Sequence, residues 1–310
     1  MLVRNFLFHR VSDEPDAMWP PMKQALFSRI ISHITRKYNV VPLEYYLDDR
    51  QAFRDKKNIA TVLFDDGYKD NIEVAAPILT KYKCPASFYI VTGCIDKNIP
   101  TWTYIVDNTF SKTGRKVVEF DYDFVPERFK KIYIKPDNIT ASVIKEFKPW
   151  LKRLSNVQRL SILESLAAQC NDAAPAENKM MSWNEVRQLH SSGFIIGSHS
   201  HQHPMLASLQ SEKEIRDELK TSAQRIKQEL GFLPVTISYP IGSYDDRVIN
   251  LAKQEGYKYG LAVKQHFFRT NKDNFFEIPR VELYQEPWWK VEMRMSGLYS
   301  TIKKLWPSQN

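Results

Sequence analysis

The sequence predicts an α/β protein whose core strands form a parallel sheet or barrel. Strand-like apolar runs alternate with amphipathic helical segments at the spacing of βαβ units. The apolar run 59–64 also stops abruptly at Asp65, Asp66 and Gly67, as a buried strand does at a turn. Ligands bind at the carboxyl ends of parallel strands in such folds. We therefore expect both carboxylates at a binding edge, although most Asp pairs merely cap a helix or solvate a turn.

Length and composition are those of an ordinary globular protein. The 310 residues are 43% hydrophobic and 26% charged, with a formal net charge of +8. This charge favours an anionic partner, such as a phosphate-bearing ligand or a membrane surface, and no clustered basic helix or zinc-finger spacing indicates nucleic acid. Cys84, Cys94 and Cys170 form no CxxC pair. With no signal-peptide core and no apolar run of about 18 residues, we expect a cytoplasmic protein.

The first third of the chain is predicted to contain four strands and three helical segments. The helix near residue 30 is indicated by Phe27, Ile30, Ile31 and Ile34, which recur at helical spacing. The strands are predicted at residues 3–8, 40–43, 59–64 and 86–91, and the helical segments at residues 27–37, 44–53 and 72–82.

The alternation lapses between about residues 100 and 178. Strand-like runs at 116–120 and 131–134 and helical segments at 144–154 and 157–168 fall in this region. We expect an insertion that covers one mouth of the core fold, and its sequence indicates no chemistry.

Regular alternation resumes at residue 181. Ser182 and Glu185 form a capping-box pattern that opens a helix running to His190, and Gly231 ends a long charged helix that starts near Ser211. The other predicted elements are strands at 194–197, 235–239, 259–263 and 277–283 and a helix at 245–255.

Three histidines in five residues follow the strand at 194–197. If His199 and His203 lie on a helical turn, their imidazoles share one face and can bind one ion, while His201 points elsewhere. A polar loop with chance histidines and a non-catalytic metal site are the alternatives. A carboxylate from Asp65 or Asp66 would complete a three-ligand site with positions open for water and substrate. Zn²⁺ is the expected metal, and other divalent ions are also suitable. The Asp that does not bind the metal could then act as general base.

Three motifs together resemble those of the polysaccharide deacetylases, the NodB-homology carbohydrate esterases. They are Phe64-Asp65-Asp66-Gly67, His199-Ser200-x-x-His203-Pro204 and Tyr239-Pro240-Ile241-Gly242. The resemblance covers roughly residues 3–285 and implies a distorted (β/α)7 barrel as a single domain, residues 1–285, with about 100–178 inserted. It further implies metal-dependent removal of an N-acetyl group from a lipid-, nucleotide- or glycan-linked amino sugar in surface polysaccharide biosynthesis.

The resemblance also implies a role for each motif residue. Asp65 would be the general base that activates a metal-bound water. The backbone N–H of Ile241, positioned by Pro240, would donate to the oxyanion, and Tyr239 belongs to the same substrate-binding group. The implied metal ligands are Asp66, His199 and His203.

Two positions depart from the family pattern. Many members carry an Arg two residues before the proline of the third motif, which is Pro240 here, and this position is occupied by Ser238. Arg280 could supply that charge from another strand end, a surface salt bridge being the alternative. Many members also carry a late histidine that acts as general acid, which this chain lacks. His9 and His266 are the available substitutes.

The C-terminal segment 286–310 is predicted to form a basic amphipathic helix with Trp near both ends. Its apolar positions recur at helical spacing: Val291, Met295, Leu298, Ile302 and Leu305. Such a helix could lie on an anionic membrane surface at the inner face, or it could pack on the barrel.

The sequence thus predicts a zinc-dependent deacetylase of N-acetylated sugars. A metal-dependent hydrolase of a non-sugar amide on the same barrel is the alternative among enzymes. Outside enzymes, the alternative is a weakly active relative that binds glycan. A pure binder has no need of a base such as Asp65, whereas the missing Arg and late His favour the weak relative.

Overall fold

The computed structural model describes residues 1–16, 18–134, 138–176 and 179–298, with the backbone alone for 138–141. Its strands agree with the predicted ones in place, and β10 is additional. They are β1 (Leu2–Phe8), β2 (Asn39–Val40), β3 (Ile59–Phe64), β4 (Ser87–Ile90), β5 (Val117–Glu119), β6 (Lys131–Tyr133), β7 (Ile195–Ser198), β8 (Thr236–Ser238), β9 (Tyr259–Leu261), β10 (Phe268–Arg269) and β11 (Val281–Glu282).

The helices cover the outside of the sheet and build most of the segment between β4 and β7. They are α1 (Gln24–Lys37), α2 (Leu43–Asp48), α3 (Ala76–Lys81), α4 (Thr92–Lys97), α5 (Trp102–Lys112), α6 (Glu127–Lys130), α7 (Asn138–Leu151), α8 (Asn156–Gln169), α9 (Trp183–Ser191), α10 (Glu212–Leu230), α11 (Asp246–Gln254) and α12 (Trp288–Ser296).

The parallel strands form a closed circuit. β1, β3, β4, β7, β8 and β9 lie side by side in that order and all run parallel. The segment before and within β11 closes it, because Ile278 pairs with Leu261 of β9 and Val281 pairs with Phe6 of β1. The fold is therefore a distorted (β/α)7 barrel, as the family resemblance implied.

Burial explains why β3 is central. All six of its residues are buried, since one face points into the barrel and the other packs under the helices. On the helix-facing side, Phe64 stacks on Phe8 and Phe88 with ring centroids 5.4 and 4.7 Å apart. The predicted apolar face of α1 packs against the same cluster.

Helix boundaries follow the capping signals where those exist. Ser182 and Glu185 form the predicted capping box at α9, and α10 ends at Gly231 in the left-handed conformation. In contrast, Thr92-Gly93 was expected only to end a strand, yet it begins α4. Gly93 lies so close to the carbonyl oxygen of His201 that a Cβ would approach it to 2.6 Å. Tertiary packing, rather than local propensity, thus places this helix.

The segment between β4 and β7 has a hydrophobic core of its own. The antiparallel pair β5–β6 and the helices α5, α7 and α8 enclose it. The strands, α7 and α8 agree with the predicted elements, while α5 and α6 were not predicted. Members of this cluster include Phe110, Phe120, Phe129, Phe147 and Trp150.

The first part of the C-terminal segment packs on the barrel. Val291 and Met295 of α12 are buried in the main core, and the guanidinium of Arg29 lies 4.0 Å from the ring centroid of Trp288. Ile302 and Leu305 of the predicted helix lie outside the described residues. None of the helices in the described part of the chain is long and apolar enough to cross a membrane.

Candidate metal centre and active site

Four predicted site residues meet at the carboxyl ends of two strands, β3 and β7, which lie on either side of β4. Asp65 and Asp66 follow β3, His199 follows β7, and His203 lies four residues further along the same loop. All four side chains are buried, with at most 4% of each residue exposed. Charged and polar groups at this depth require partners, because an unpaired buried charge is costly.

The backbone at this edge adopts unusual conformations. Asp66, Ser200, His203 and Ile241 all have positive φ angles, of 76°, 64°, 59° and 60°. Non-glycine residues adopt such angles rarely, and the β-branched Ile241 is a clear outlier. Strained backbone of this kind clusters at functional sites, where it aims side chains and N–H groups that regular structure would point elsewhere.

The loop between His199 and His203 is not the helical turn that the sequence suggested. It is irregular, and the hydroxyl of Ser200 accepts a hydrogen bond from the N–H of His203 at 3.1 Å. The two imidazoles nevertheless meet, with ring centroids 5.0 Å apart. His201 does point away, as predicted, and its Nδ1 lies 2.9 Å from the hydroxyl of Thr92.

Asp66, His199 and His203 form a donor set that fits a metal ion. Their ligand atoms all lie within 4.8 Å of one another. Asp66 Oδ1 is 3.4 Å from His199 Nε2 and 3.3 Å from His203 Nε2, yet it is buried without a hydrogen bond. Ligands about 2.0–2.2 Å from a tetrahedral zinc ion would be separated by about 3.3–3.6 Å. The orphaned oxygen and these separations therefore suit a shared cation.

Neighbouring carbonyl and carboxylate groups orient this set. Nδ1 of His199 donates to the carbonyl oxygen of Ser238 at 2.7 Å, which leaves Nε2 facing Asp66. Burial by itself would raise the pKa of Asp66, but the adjacent imidazoles of His199 and His203 hold that pKa well below the usual value. Burial lowers the pKa of His203, so this imidazole is available as a neutral ligand.

Asp65 lies beside the donor set and is bound by other partners. Arg280 Nη1 donates to its Oδ1 at 2.8 Å, and the hydroxyl of Ser238 donates to its Oδ2 at 3.0 Å. Its Oδ2 also lies 3.9 Å from Nε2 of His199. Burial would raise the pKa of Asp65, yet the charges of Arg280 and His199 outweigh burial and leave the pKa below the usual value. Asp65 is thus an ionised carboxylate adjacent to the three ligands.

Both residues that mark the departure from the family pattern contact Asp65. Arg280 is fully buried, so its ion pair with Asp65 is an interior one and not a surface salt bridge. Ser238 occupies the position where many relatives have Arg, and its hydroxyl bonds the second carboxylate oxygen. A cation from a different strand end therefore neutralises this carboxylate.

The two histidines considered as proton donors lie in different surroundings. His9 Nδ1 is 3.4 Å from Glu282 Oε1, and the charge of His9 acts on both Asp65 and Asp66. His266 bonds the carbonyl of Phe267 and, in the described chain, makes no hydrogen bond or ion pair with any predicted site residue. The structure therefore brings His9, and not His266, to this edge.

The residues of the third motif, Tyr239 to Gly242, lie partly in the core and partly at the site. Tyr239 stacks on Tyr244 at 4.7 Å, and its fully buried hydroxyl packs against Gly260, so its side chain belongs to the core. Pro240 is buried as well, whereas Ile241 is partly exposed with its strained backbone. Ile241, with its backbone N–H and partly exposed side chain, is therefore the candidate in this segment for contacting substrate.

The insertion carries a charged residue that the sequence did not single out. Lys152, just after α7, is reached by solvent and lies near enough to Glu282, Asp107 and Asp66 for their charges to act on it. Surrounding protein and the charge of Lys148 lower the pKa of Lys152. One lysine among many gives no local signal, so only the folded arrangement brings it to the mouth of the site.

Comparison with solved structures supports the fold at low sequence identity. The deacetylase PplD of Streptococcus pyogenes, solved with acetate, superposes with a TM-score of 0.63 at 16% identity, over 97% of this chain and 98% of that one. A de-N-acetylase from Aggregatibacter actinomycetemcomitans gives 0.61 at 17%, over 95% and 100%. The BpsB deacetylase domain from Bordetella bronchiseptica gives 0.55 at 19%, over 91% and 96%.

Comparison of the sequence with protein families agrees with the structural comparison. A search of curated proteins found no match. The family profile described as polysaccharide deacetylase matches residues 53–260, which include the Asp pair, the His loop and the motif-three segment. The chain therefore belongs to the polysaccharide deacetylase family, hydrolases that act on N-acetylated carbohydrates.

Proposed function

We propose that this protein is a metal-dependent hydrolase that removes the N-acetyl group from an amino sugar during surface polysaccharide biosynthesis. The observation that carries this proposal is that the two adjacent carboxylates after β3 have different partners. Asp66 faces His199 and His203 as a buried donor set, while Asp65 is held ionised outside that set by Arg280. Such a pairing suits hydrolysis, because it provides ligands and a separate base.

A divalent ion at this site would activate water and polarise the acetyl carbonyl. Two imidazoles and one carboxylate suit Zn²⁺ best. Asp65 then accepts the proton of the attacking water, and Arg280 keeps this carboxylate ionised at neutral pH. The N–H of Ile241 donates to the oxyanion, for which its left-handed backbone orients it. A base and an oxyanion donor favour an enzyme over a pure glycan binder.

The departing amine requires a proton, and two basic side chains, His9 and Lys152, are candidates to supply it. His9 is paired with Glu282, and Lys152 reaches the same area from the insertion. We propose His9 as the donor, because its charge acts on both aspartates and it extends directly from β1. The structurally similar protein from Aggregatibacter is a de-N-acetylase, which supports N-acetyl removal as the reaction.

The place of the reaction is also a proposal. Cys84, Cys94 and Cys170 are all buried and free, which supports action in the reducing cytoplasm. The net charge of +8 supports an anionic carrier, either a nucleotide or a lipid at the inner membrane face. Contact with the membrane through residues after 298 stays a prediction.

Acetate release tests the function directly. Free, nucleotide-linked and lipid-linked N-acetyl sugars are compared, each before and after chelation and after re-addition of Zn²⁺. We expect release that chelation abolishes and metal restores, with one linkage preferred. Release that survives complete chelation would contradict metal dependence, and hydrolysis confined to non-sugar amides would favour the alternative amide hydrolase.

A further inference from the structure

A groove lies between the insertion and the barrel, separate from the residues of the metal centre. Its volume is about 470 Å³, which is within the range of small-molecule sites. The insertion contributes α5 and α8, and the barrel contributes α4, the start of α10 and the end of the His loop. Gln202 and Pro204, which flank His203 in the chain, both line it. The groove therefore reaches the outer side of the loop that carries two metal ligands.

Arg159 of α8 lines this groove with an uncompensated charge. Only 2% of the residue is exposed. Its guanidinium donates to Asn156 Oδ1 at 2.5 Å and to the Ser208 hydroxyl at 3.5 Å, and in the described chain no carboxylate forms an ion pair with it. Burial lowers the pKa of Arg159 to about 10. A buried cation that has only neutral partners is unfavourable by itself, and an anionic ligand would relieve it.

Trp102 provides an aromatic surface beside this cation. The guanidinium of Arg159 lies 5.5 Å from the centroid of the indole ring, and both residues line the groove. The indole Nε1 is buried and has no hydrogen-bond partner among the described residues. Apolar side chains complete this wall, namely Ile99, Ile105, Leu160 and Leu163. An aromatic and apolar wall next to a planar cation suits the ring of a sugar that carries an oxyanion.

Another part of the groove, here called the acidic wall, is lined by Glu214, Asp217 and Glu218, whose carboxylates are already bound. Glu218 accepts the N–H groups of His201 and Gln202 at 2.9 and 2.8 Å. Glu214 caps α10, and Asp217 pairs with Lys213 at 2.6 Å. These carboxylates keep spare lone pairs, which can accept hydrogen bonds from hydroxyl groups. They lie too far from Arg159 to neutralise it.

We propose that this groove is a second carbohydrate site that binds an acidic sugar unit, with the oxyanion on Arg159, the ring against Trp102 and hydroxyl groups donating to the acidic wall. The proposal rests on the proposed function, since it assigns to the substrate an acidic unit beside the N-acetylated one. The oxyanion is a phosphate if the sugar is carrier-linked and a carboxylate if the glycan contains a uronic acid. Both share the chemistry that a buried guanidinium recognises.

Calorimetric titration of the chelated protein tests this without any turnover. The probes are N-acetylglucosamine 1-phosphate, glucuronic acid and neutral N-acetylglucosamine. We expect at least one acidic sugar to bind more tightly than the neutral one. Arg159→Met should weaken that binding about 10- to 100-fold, the value of a charge-assisted hydrogen bond, and leave the neutral sugar unaffected. Arg153→Met, which removes an exposed arginine six residues away, is the matched control and should change nothing.

Arg159→Lys keeps the charge and should weaken the acidic sugar only a few-fold, because the planar fork is lost. This variant decides the question if Arg159→Met does not fold. Preference for phosphate over carboxylate identifies a carrier-linked substrate, and the reverse identifies an acidic glycan. Equal binding of acidic and neutral sugars by the wild type, or unchanged binding by the variants that fold, would overturn the proposal. Failure of acetate release on every sugar would refute the proposed function and leave this binding result intact.

Discussion

Two buried carboxylates in this barrel, Glu44 and Asp65, have pKa values that are shifted in opposite directions. Glu44 lies at the amino ends of the strands, where its two oxygens accept hydrogen bonds from the hydroxyls of Ser87 and Tyr89 at 2.6 and 2.7 Å. Burial raises the pKa of Glu44, and these two bonds only partly offset it. At the carboxyl ends, burial acts equally on Asp65, but the charge of Arg280 reverses the outcome and lowers the pKa.

The contrast shows what it takes to keep a buried acid ionised. Neutral hydroxyl donors do not compensate for lost hydration, whereas one buried cation does. Glu44 is therefore suited to a structural role, linking α2 to β4 with a raised pKa. Asp65 is suited to accept a proton, because it is charged before substrate arrives. The following changes test this contrast in order of expected effect.

Asp65→Asn should lower the rate of acetate release about 10²- to 10⁴-fold, since the base is lost while the three ligands stay. Bound zinc, measured by atomic absorption, should equal that of the wild type. His203→Ala is the contrasting variant and should lose the metal together with activity. Loss of metal from Asp65→Asn would mean that the ligand and base assignments of Asp65 and Asp66 are reversed.

Arg280→Met should lower the free energy of unfolding by about 3–5 kcal/mol at neutral pH, because Asp65 is left as an unpaired buried charge. In the wild type the folded pKa of Asp65 is depressed, so its contribution is present above its unfolded pKa and is lost only as pH falls through the folded one. Without Arg280, burial raises that pKa as it does for Glu44. The difference from wild type should then be larger at pH 8 than at pH 5.

Urea denaturation at both pH values measures this difference. The double variant Asp65→Asn with Arg280→Met is the control, because it removes the charge along with its partner and should recover most of the lost stability. A defect of Arg280→Met that is equal at both pH values and persists in the double variant would show that lost packing, and not the unpaired carboxylate, is responsible.

Glu44→Gln should have the smallest effect, about 1–2 kcal/mol in unfolding free energy, with acetate release unchanged. The folded pKa of Glu44 is raised, so its contribution is fully present below its unfolded pKa and is lost as pH rises through the folded one. Glutamine does not titrate, and the variant should therefore gain stability relative to wild type as the pH rises from 5 to 8. Parallel stability curves for the two proteins would show that Glu44 is ionised in the barrel.

Much of the fold and of the site could be predicted because the signals are local. The apolar run that ends at Asp65, the capping box at Ser182 and the glycine stop at Gly231 each act within a few residues, and the structure shows all three. The helical turn proposed for His199 to His203 was wrong, because left-handed residues and packing against α4 shape that loop. The four-residue spacing did indicate the right pair of histidines. The reason given, that residues four apart share one face of a helical turn, does not hold in this irregular loop.

The sequence alone determined the strand-end position of the carboxylates, the family and the pairing of histidines, since short motifs and alternating burial encode them. Only the tertiary structure decided which of the two carboxylates is paired with a cation, because Arg280 lies 215 residues from Asp65 along the chain. It also decided that the charge of Asp66 acts on Lys152 and that Arg159 lines a groove. Charge interactions depend on the distance between two groups in space, and the number of residues between them in the sequence does not reveal that distance.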